Sequence, residues 1–361
     1  MRLPLRCVFK VDMHYKDIFS FNHLLNSYNR ARRDNREKHS VCRFDFFLEN
    51  NLLKLKYELQ FNSYYPFPYT CFIVTDPKKR NIAAPHFRDR VVQHALVSAI
   101  EPLFDKSFIK DAYACRSKKG THYGARRMKK FLTSARCIYG KNTPLYILQC
   151  DIKKFFPFVS WDILLTLIKK KIICKKTLSL IETILTKHRV ANKTGSINSF
   201  PPEIVSTTER KGLPIGNLTS QLFANVYLNP LDHFVKENLR ERWYGRYMDD
   251  FFIIHYSKKH LCKIKLKIQD FLSKKLQLSL HPKKSIIQNV KNGVAFVGYR
   301  IFYDHILIRA STLRRFQKKY HRFQKQEKNK IISKKELMQK QVSFCGHLKH
   351  ANAYNLKKSM F

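Results

Sequence analysis

The stretch GRYMDDFFIIHY, residues 245–256, sets two adjacent aspartates, Asp249 and Asp250, between short apolar and aromatic runs. Such a pattern predicts strand, turn, strand. An isolated Asp-Asp pair is usually turn chemistry alone. With buried strands on both sides, however, two neighbouring carboxylates lose part of their hydration, which is costly unless cations compensate. A second segment, LQCDIKKFF, points to the same chemistry: LYILQC (145–150) reads as a buried strand that delivers Asp151 at its tip. Carboxylates on the ends of neighbouring strands suit two hard divalent cations about 4 Å apart, the arrangement phosphodiester synthesis needs.

Of 361 residues, 70 are Lys or Arg and 26 are Asp or Glu, a formal net charge of +44. That surplus repels itself on compaction and steers the chain toward polyphosphate or nucleic acid. With 44 % hydrophobic residues the chain still has material for a sizeable core, so it is no basic disordered tail. Nine cysteines stand singly, without a C-x-x-C pair. Their spacing argues against a structural zinc site or a disulfide framework and for a reducing, cytosolic compartment. The opening MRLPLRCVFKVDMH is broken by charge and lacks the apolar centre of a signal peptide. No run of about 18 apolar residues is present to span a membrane.

Outward from the aspartates the chain is mostly helical. Residues 17–60 carry apolar side chains at spacings of three and four (Ile18, Phe21, Leu24, Leu25, Tyr28, then Phe44, Phe47, Leu48, Leu52, Leu55). YTCFIV (69–74) is β-rich and passes through DPKKR into NIAAP. FRDRVVQHALVSAIEPLF (87–104) predicts an amphipathic helix that stops near Pro102. SWDILLTLIKKKII (160–173) reads as helix and the polar stretch 187–210, with Pro201-Pro202, as surface loop. SQLFANVYLNPLDHFVKENL (220–239) is a helix kinked at Pro230, Lys258–Leu278 another helix, and VAFVGYRIF (294–302) a hairpin strand. From Arg309 to Lys340, twelve Lys or Arg stand against two Glu on a largely helical pattern.

These segments, in this order, resemble the reverse transcriptase family over nearly the whole chain. PKKRNIAAPHFRDRVVQHAL is similar to the fingers segment that meets the incoming triphosphate, and SFIKDAYACRSKKGTH to the next fingers motif. LQCDIKKFFPFVSWDIL, GLPIGNLTSQLFANVYL and YMDD resemble three palm motifs, LSLHPKKS the lysine-bearing palm motif and VAFVGYRI the primer grip. The resemblance implies an α+β right-hand polymerase fold, with fingers, a palm of antiparallel sheet backed by helices, and a short helical thumb. Residues 1–60 would be an N-terminal helical segment, 61–305 the fingers and palm, and 306–361 the basic thumb.

Roles follow from the same resemblance. Asp151 and Asp249 would ligate two Mg2+ (or Mn2+) ions, with Ile152 in the metal set and Asp250 close by as a helper. Lys284 would protonate the leaving pyrophosphate, with Lys283 as its competitor, and Lys79, Arg80, Arg88 and Arg90 would meet the dNTP triphosphate. Phe156 would be the steric gate against a ribose 2′-hydroxyl, set against plain packing beside Phe155 and Phe158. Gly216 would let the backbone approach the nascent pair, with Ile215 before it and Ser220 and Gln221 opening the next helix.

Most members carry Gln where IGNLTSQ has Ile215. That pattern, with RFDFFLENNLLKLKYELQ and GHLKHANAYNL, resembles the enzymes of diversity-generating retroelements. Such enzymes copy a template-repeat RNA into cDNA mutated at adenines and work with a small basic accessory protein. The implied partners are template RNA, the RNA/DNA heteroduplex, dNTPs and that accessory protein. The implied setting is the cytoplasm of a bacterium or its phage, with no membrane. The alternatives are another bacterial reverse transcriptase, of group II intron, retron or phage-defence type, and a non-catalytic RNA-binding relative. The 15 residues after Gly346 are expected to leave no room for an RNase H or endonuclease domain.

Overall fold

The computed structural model describes residues 15–360 except 77, 188, 192–196, 200–204 and 207. The opening MRLPLRCVFKVDMH and Pro201-Pro202 lie outside the described residues. The helical periodicity of residues 17–60 becomes α1 (Tyr15–Phe19), α2 (Phe21–Ala31), α3 (His39–Phe46) and α4 (Leu48–Gln60). Their inward residues Ile18, Leu24, Val41, Leu52, Leu55 and Leu59 are fully buried. Strands β1 (Thr70–Val74) and β2 (Arg80–Ala84) pair antiparallel, and α5 (Phe87–Asp105) follows. This helix does not stop at Pro102 but runs on to Asp105. So near its end the proline forfeits a single backbone bond, and burial of Ile100 and Phe104 on either side holds the last turn.

Next come α6 (Thr121–Tyr139), β3 (Tyr146–Asp151), α7 (Phe155–Phe158), α8 (Trp161–Lys169) and α9 (Lys175–Thr186). The polar stretch 187–210 is not all loop: β4 (Arg189–Ala191) and β5 (Ile197–Ser199) pair antiparallel within it. Strands of three residues are too short to announce themselves by alternation. Helix α10 (Leu218–His233) passes through Pro230 and continues as a π-helical turn, Phe234–Asn238. Then follow β6 (Tyr244–Tyr247), β7 (Asp250–His255), α11 (Lys258–Leu276), β8 (Ile286–Asn289), β9 (Val294–Phe296), β10 (Tyr299–Ile301) and β11 (Ile306–Ile308). The basic C-terminal stretch forms α12 (Ala310–Lys328), α13 (Lys334–Leu348) and α14 (Tyr354–Met360).

The chain divides into two compact units. The first takes Met1–Ile109, Ile152–His233 and Asp270–Ser279, and the second Lys110–Asp151, Phe234–Gln269 and Leu280–Phe361. In the first, α5 is the central helix, packed on α2 and α10. In the second, an antiparallel sheet of order β6-β7-β3-β8 lies beside a smaller sheet of order β11-β10-β9. Helix α6 backs it with Met128, Leu132 and Ala135, in one core with Ile147, Phe252, Ile254, Val294 and Tyr299. Phe251 to Ile254 of β7 are buried without a break, which explains an unbroken apolar run where a half-exposed strand would alternate. The C-terminal helices close on Phe316 and Phe344, stacked at 3.4 Å, while α12 buries none of its residues. The eight described cysteines are all free, and among the described residues no helix is long and apolar enough to cross a membrane.

Candidate active site

Strand register sets the aspartates of the second unit. Asp250 of β7 stands opposite Asp151 of β3 on one side and Tyr247 of β6 on the other. Tyr247 and Asp250 therefore close a two-residue turn, Met248-Asp249, in which Met248 takes φ 55°. Positive φ at the first turn residue is what so tight a hairpin requires. The sequence suggests both aspartates at the turn; the turn has room for one, so Asp250 becomes the first strand residue and faces Asp151.

Asp151 is buried at 8 % exposure, Asp249 is half-buried and Asp250 is exposed. Protein around the Asp250 carboxyl still strips much of its water. That loss, reinforced by the Asp249 and Asp151 carboxylates and opposed by Lys284, pushes Asp250 up to about 7. The loop that carries Lys284 is tied to β3: the His281 amide donates to the Asp151 carbonyl at 2.7 Å, and the Lys284 and Ser285 amides donate back to His281. Lys284 thereby reaches an ion pair with the Asp151 carboxylate. Lys283 stays exposed, its amide on the His281 ring.

Among the described residues no three Asp, Glu, His or Cys side chains are gathered closely enough to hold a metal ion. The donor chemistry nonetheless fits a hard divalent cation. Two carboxylates face each other across one strand pair with a third next to them, and burial together with like-charge repulsion holds one toward its protonated form. A cation, the Lys284 ammonium, is already paired with Asp151. Ile152, 1 % exposed, has only its backbone oxygen to offer.

Behind the turn lies a brace that the sequence reading missed. Arg246 of β6 is wholly buried and donates to the Met248 carbonyl at 3.0 Å. Its amide donates to Asp111 and its carbonyl accepts from Tyr113, each at 2.9 Å, while Arg127 grips the Asp111 carboxylate at 2.7 and 3.1 Å. A Cβ on Gly245 would come within 2.6 Å of the Tyr113 hydroxyl and 2.8 Å of the Phe252 ring. The available signal was an arginine inside an apolar strand next to the aspartates.

The first unit holds most of the nucleotide-facing candidates. Gly216 has φ +126°, and a Cβ there would lie 2.5 Å from the Ala83 carbonyl oxygen, so only glycine fits. The Ile215 carbonyl accepts from the Ala83 amide at 2.8 Å, laying the turn along β2. Asn217 donates to the Tyr69 hydroxyl at 2.8 Å, and Gln93 accepts from the Leu218 amide at 3.1 Å. A cavity of about 170 Å³ opens there, lined by Arg90, Gln93, His94, Gly216, Leu218 and Gln221. Arg90, Gly216 and Gln221 are thus brought together, while Ile215 is half-buried and Ser220 lies beneath the surface. Burial, with Arg90 and Arg30 adding, lowers His94 to about 4, so its ring is neutral. Gln93 and His94 also escaped the sequence reading, although their spacing of three and four from Arg90 puts them on its helix face.

The other candidates scatter. Lys79 and Arg80 are exposed where β2 begins. Arg88 turns inward instead, 8 % exposed, ion-paired with Glu58 and Asp89 and set 4.7 Å over the Phe67 ring. Phe156 is half-exposed, its carbonyl accepting from the Leu213 amide at 2.8 Å, whereas Phe155 is 2 % exposed and packs on Tyr227. VAFVGYRI forms the β9–β10 hairpin around Val297 (φ 42°) and Gly298 (φ 91°), in the second unit. A β-branched residue at positive φ is strained backbone.

Residues 75–301 match the family model for reverse transcriptase (RNA-dependent DNA polymerase). The chain belongs to the reverse transcriptase family. It is 25 % identical over 281 residues to the protein YkfC of Escherichia coli strain K12, covering 68 % of this chain and 70 % of that one. It is 23 % identical over 322 residues to the group II intron-encoded protein LtrA of Lactococcus lactis subsp. cremoris, covering 71 % of this chain and 50 % of LtrA. Among solved structures, apo telomerase from Candida tropicalis superposes with a TM-score of 0.50 at 15 % identity, over 73 % of this chain and 53 % of that one. That likeness is one of fold: the right-hand polymerase architecture.

Proposed function

We propose that this chain makes cDNA on an RNA template and that Asp151, Asp249 and Asp250 are its catalytic carboxylates. The observation that carries the site is the cross-strand pair Asp151–Asp250 beside the Met248-Asp249 turn. Mg2+ held by these carboxylates and the Ile152 carbonyl would lower the pKa of the primer hydroxyl and clamp the triphosphate. Lys284, next to Asp151, is the proton donor for the leaving pyrophosphate. Arg90, with Lys79 and Arg80, orients the triphosphate, and Arg88 serves the fold. Phe156, the more open of the two adjacent phenylalanines, bars a 2′-hydroxyl by bulk, and the Gly216 backbone lies against the nascent pair. Residues 61–305 are the fingers and palm of this assignment and 306–361 the thumb.

The class that fits best is the error-prone enzyme of a diversity-generating retroelement, assisted by a small basic accessory protein. Ile215, IGNLTSQ and GHLKHANAYNL support it. Ile215 gives the nascent pair van der Waals contact where a glutamine would hydrogen-bond, a difference of about 1 kcal/mol in favour of correct pairing. Similarity to LtrA supports a second reading, an intron-type enzyme, although the chain spans half of LtrA's length. Purified protein given Mg2+, dNTPs and a primed, adenine-rich RNA tests both. Expected is cDNA with errors concentrated opposite adenines, reduced several-fold by Ile215→Gln. Errors spread evenly over all four bases would overturn the retroelement class, and no cDNA at all would overturn the enzyme.

A further inference from the structure

The C-terminal motif GHLKHANAYNL supplies none of the catalytic carboxylates, and the second unit builds a cavity around it. About 710 Å³ in volume, this cavity is lined by Arg126, Lys129, Lys130, Thr133, Ser134 and Cys137 of α6, by Ile306, and by Lys349 to Asn352. The α6 residues form one stripe at helical spacing, distinct from the stripe of Met128, Leu132 and Ala135 that packs on the sheet. Among the described residues four cations surround the cavity and no carboxylate lines it. The volume is that of a small-ligand site, room for a nucleotide rather than a duplex.

Its far wall is an ordered aromatic stack. His350 stacks on His122 at 3.9 Å with the rings 23° apart. His122 is anchored in turn, its Nδ1 at 2.8 Å from the Tyr299 hydroxyl, which donates to the His347 carbonyl. Arg126 donates to His350 Nδ1 at 3.3 Å. An arginine can only donate, so Nδ1 is the acceptor and the ring carries its proton on Nε2. Burial and Arg126 lower His350, in keeping with a neutral ring. Asn352 fixes the loop to β11, donating its amide to the Ile306 carbonyl at 2.7 Å and accepting from the Ile306 amide at 3.1 Å. The walls are therefore built and held in place.

We infer that this cavity binds an unpaired RNA nucleotide, with phosphates held by Lys129, Lys130, Lys349 and Arg126 and the base set against the apolar and imidazole wall. Cationic rims with a stacking ring are how proteins hold single strands without pairing them. It is a second RNA site, outside the catalytic strands, and does not depend on the polymerase reading.

The test uses the full chain, a fluorescent single-stranded oligouridylate and a primer extension assay on a short preannealed hybrid. Lys129→Glu/Lys130→Glu should weaken oligouridylate binding about ten-fold and lower the salt slope by roughly one to two units. Lys258→Glu/Lys259→Glu on α11 makes the same charge change on exposed residues elsewhere and should cost two-fold at most. His350→Ala, which removes no lysine, should cost about five-fold, with His350→Phe restoring the stack. Extension of the hybrid should be unchanged in all of them. A 4-thiouridine in the oligonucleotide should crosslink to peptides from residues 121–139 or 346–356. Equal losses in the two double variants, crosslinks confined to other peptides, or a polyglutamate peptide competing as well as RNA would overturn the inference, the last in favour of an acidic protein partner.

Discussion

In the second unit the carboxylates stand on paired strands, where backbone register alone puts Asp151 opposite Asp250. In the first, the cavity at Gly216 is held by side chains, Asn217 on Tyr69 and Gln93 on the Leu218 amide. The difference is one of tolerance. A ladder of backbone bonds survives most changes of side chain, so the strand-borne groups should respond to substitution in chemistry and hardly in stability. A turn braced by side chains and by the absence of a Cβ should respond in stability first.

The two phenylalanines of the first unit sharpen that contrast. Phe155→Ala should cost roughly 3–5 kcal/mol in urea unfolding, because it empties a buried place against Tyr227. Phe156→Ala should unfold like the wild type yet admit ribonucleotides in single-turnover incorporation. Ribonucleotide entry through Phe155→Ala instead would move the gate by one residue. Gly216→Ala should cost about 1–3 kcal/mol, since a Cβ meets the Ala83 carbonyl at positive φ. A Gly216→Ala protein as stable as wild type would mean that the turn is not braced as described.

Two smaller effects belong to the second unit. Val297→Gly should change stability by less than about 1 kcal/mol, because relief of a β-branched residue at φ 42° is offset by the lost packing of Val297 on the core of the second unit. If its primer affinity falls all the same, the strain serves the primer. Asp250 gives a pH signature. Its carboxyl stands at about 7 in the folded protein against an ordinary 3.8, so the folded state binds the proton more tightly than the unfolded one. Metal-free stability should therefore fall as pH rises between those values and level off above about 7. In Asp250→Asn that part of the slope should vanish. A wild-type melting temperature flat across this window would argue that the three carboxylates do not crowd one another.

Much of this was legible in residues. The apolar run of 251–254 announced a buried strand, and Asp151 at the tip of LYILQC announced its neighbour. Which aspartate sits in the turn was not legible, because hairpin length depends on pairing with β6. Nor was the inward turn of Arg88, since Glu58 lies 30 residues earlier on another helix. Arg246 and Asp111 escaped for the same reason: their partnership is made by tertiary packing that no local period records.

If Asp151, Asp249 and Asp250 make DNA on RNA, primer extension by Asp249→Asn should fail. Carboxylate to amide is nearly isosteric and relieves repulsion in the metal-free site. On a primed RNA with Mg2+ and dNTPs the variant should lose on the order of a thousand-fold or more in rate while melting at or above the wild-type temperature. Extension at near wild-type rate by a folded Asp249→Asn protein would contradict the assignment.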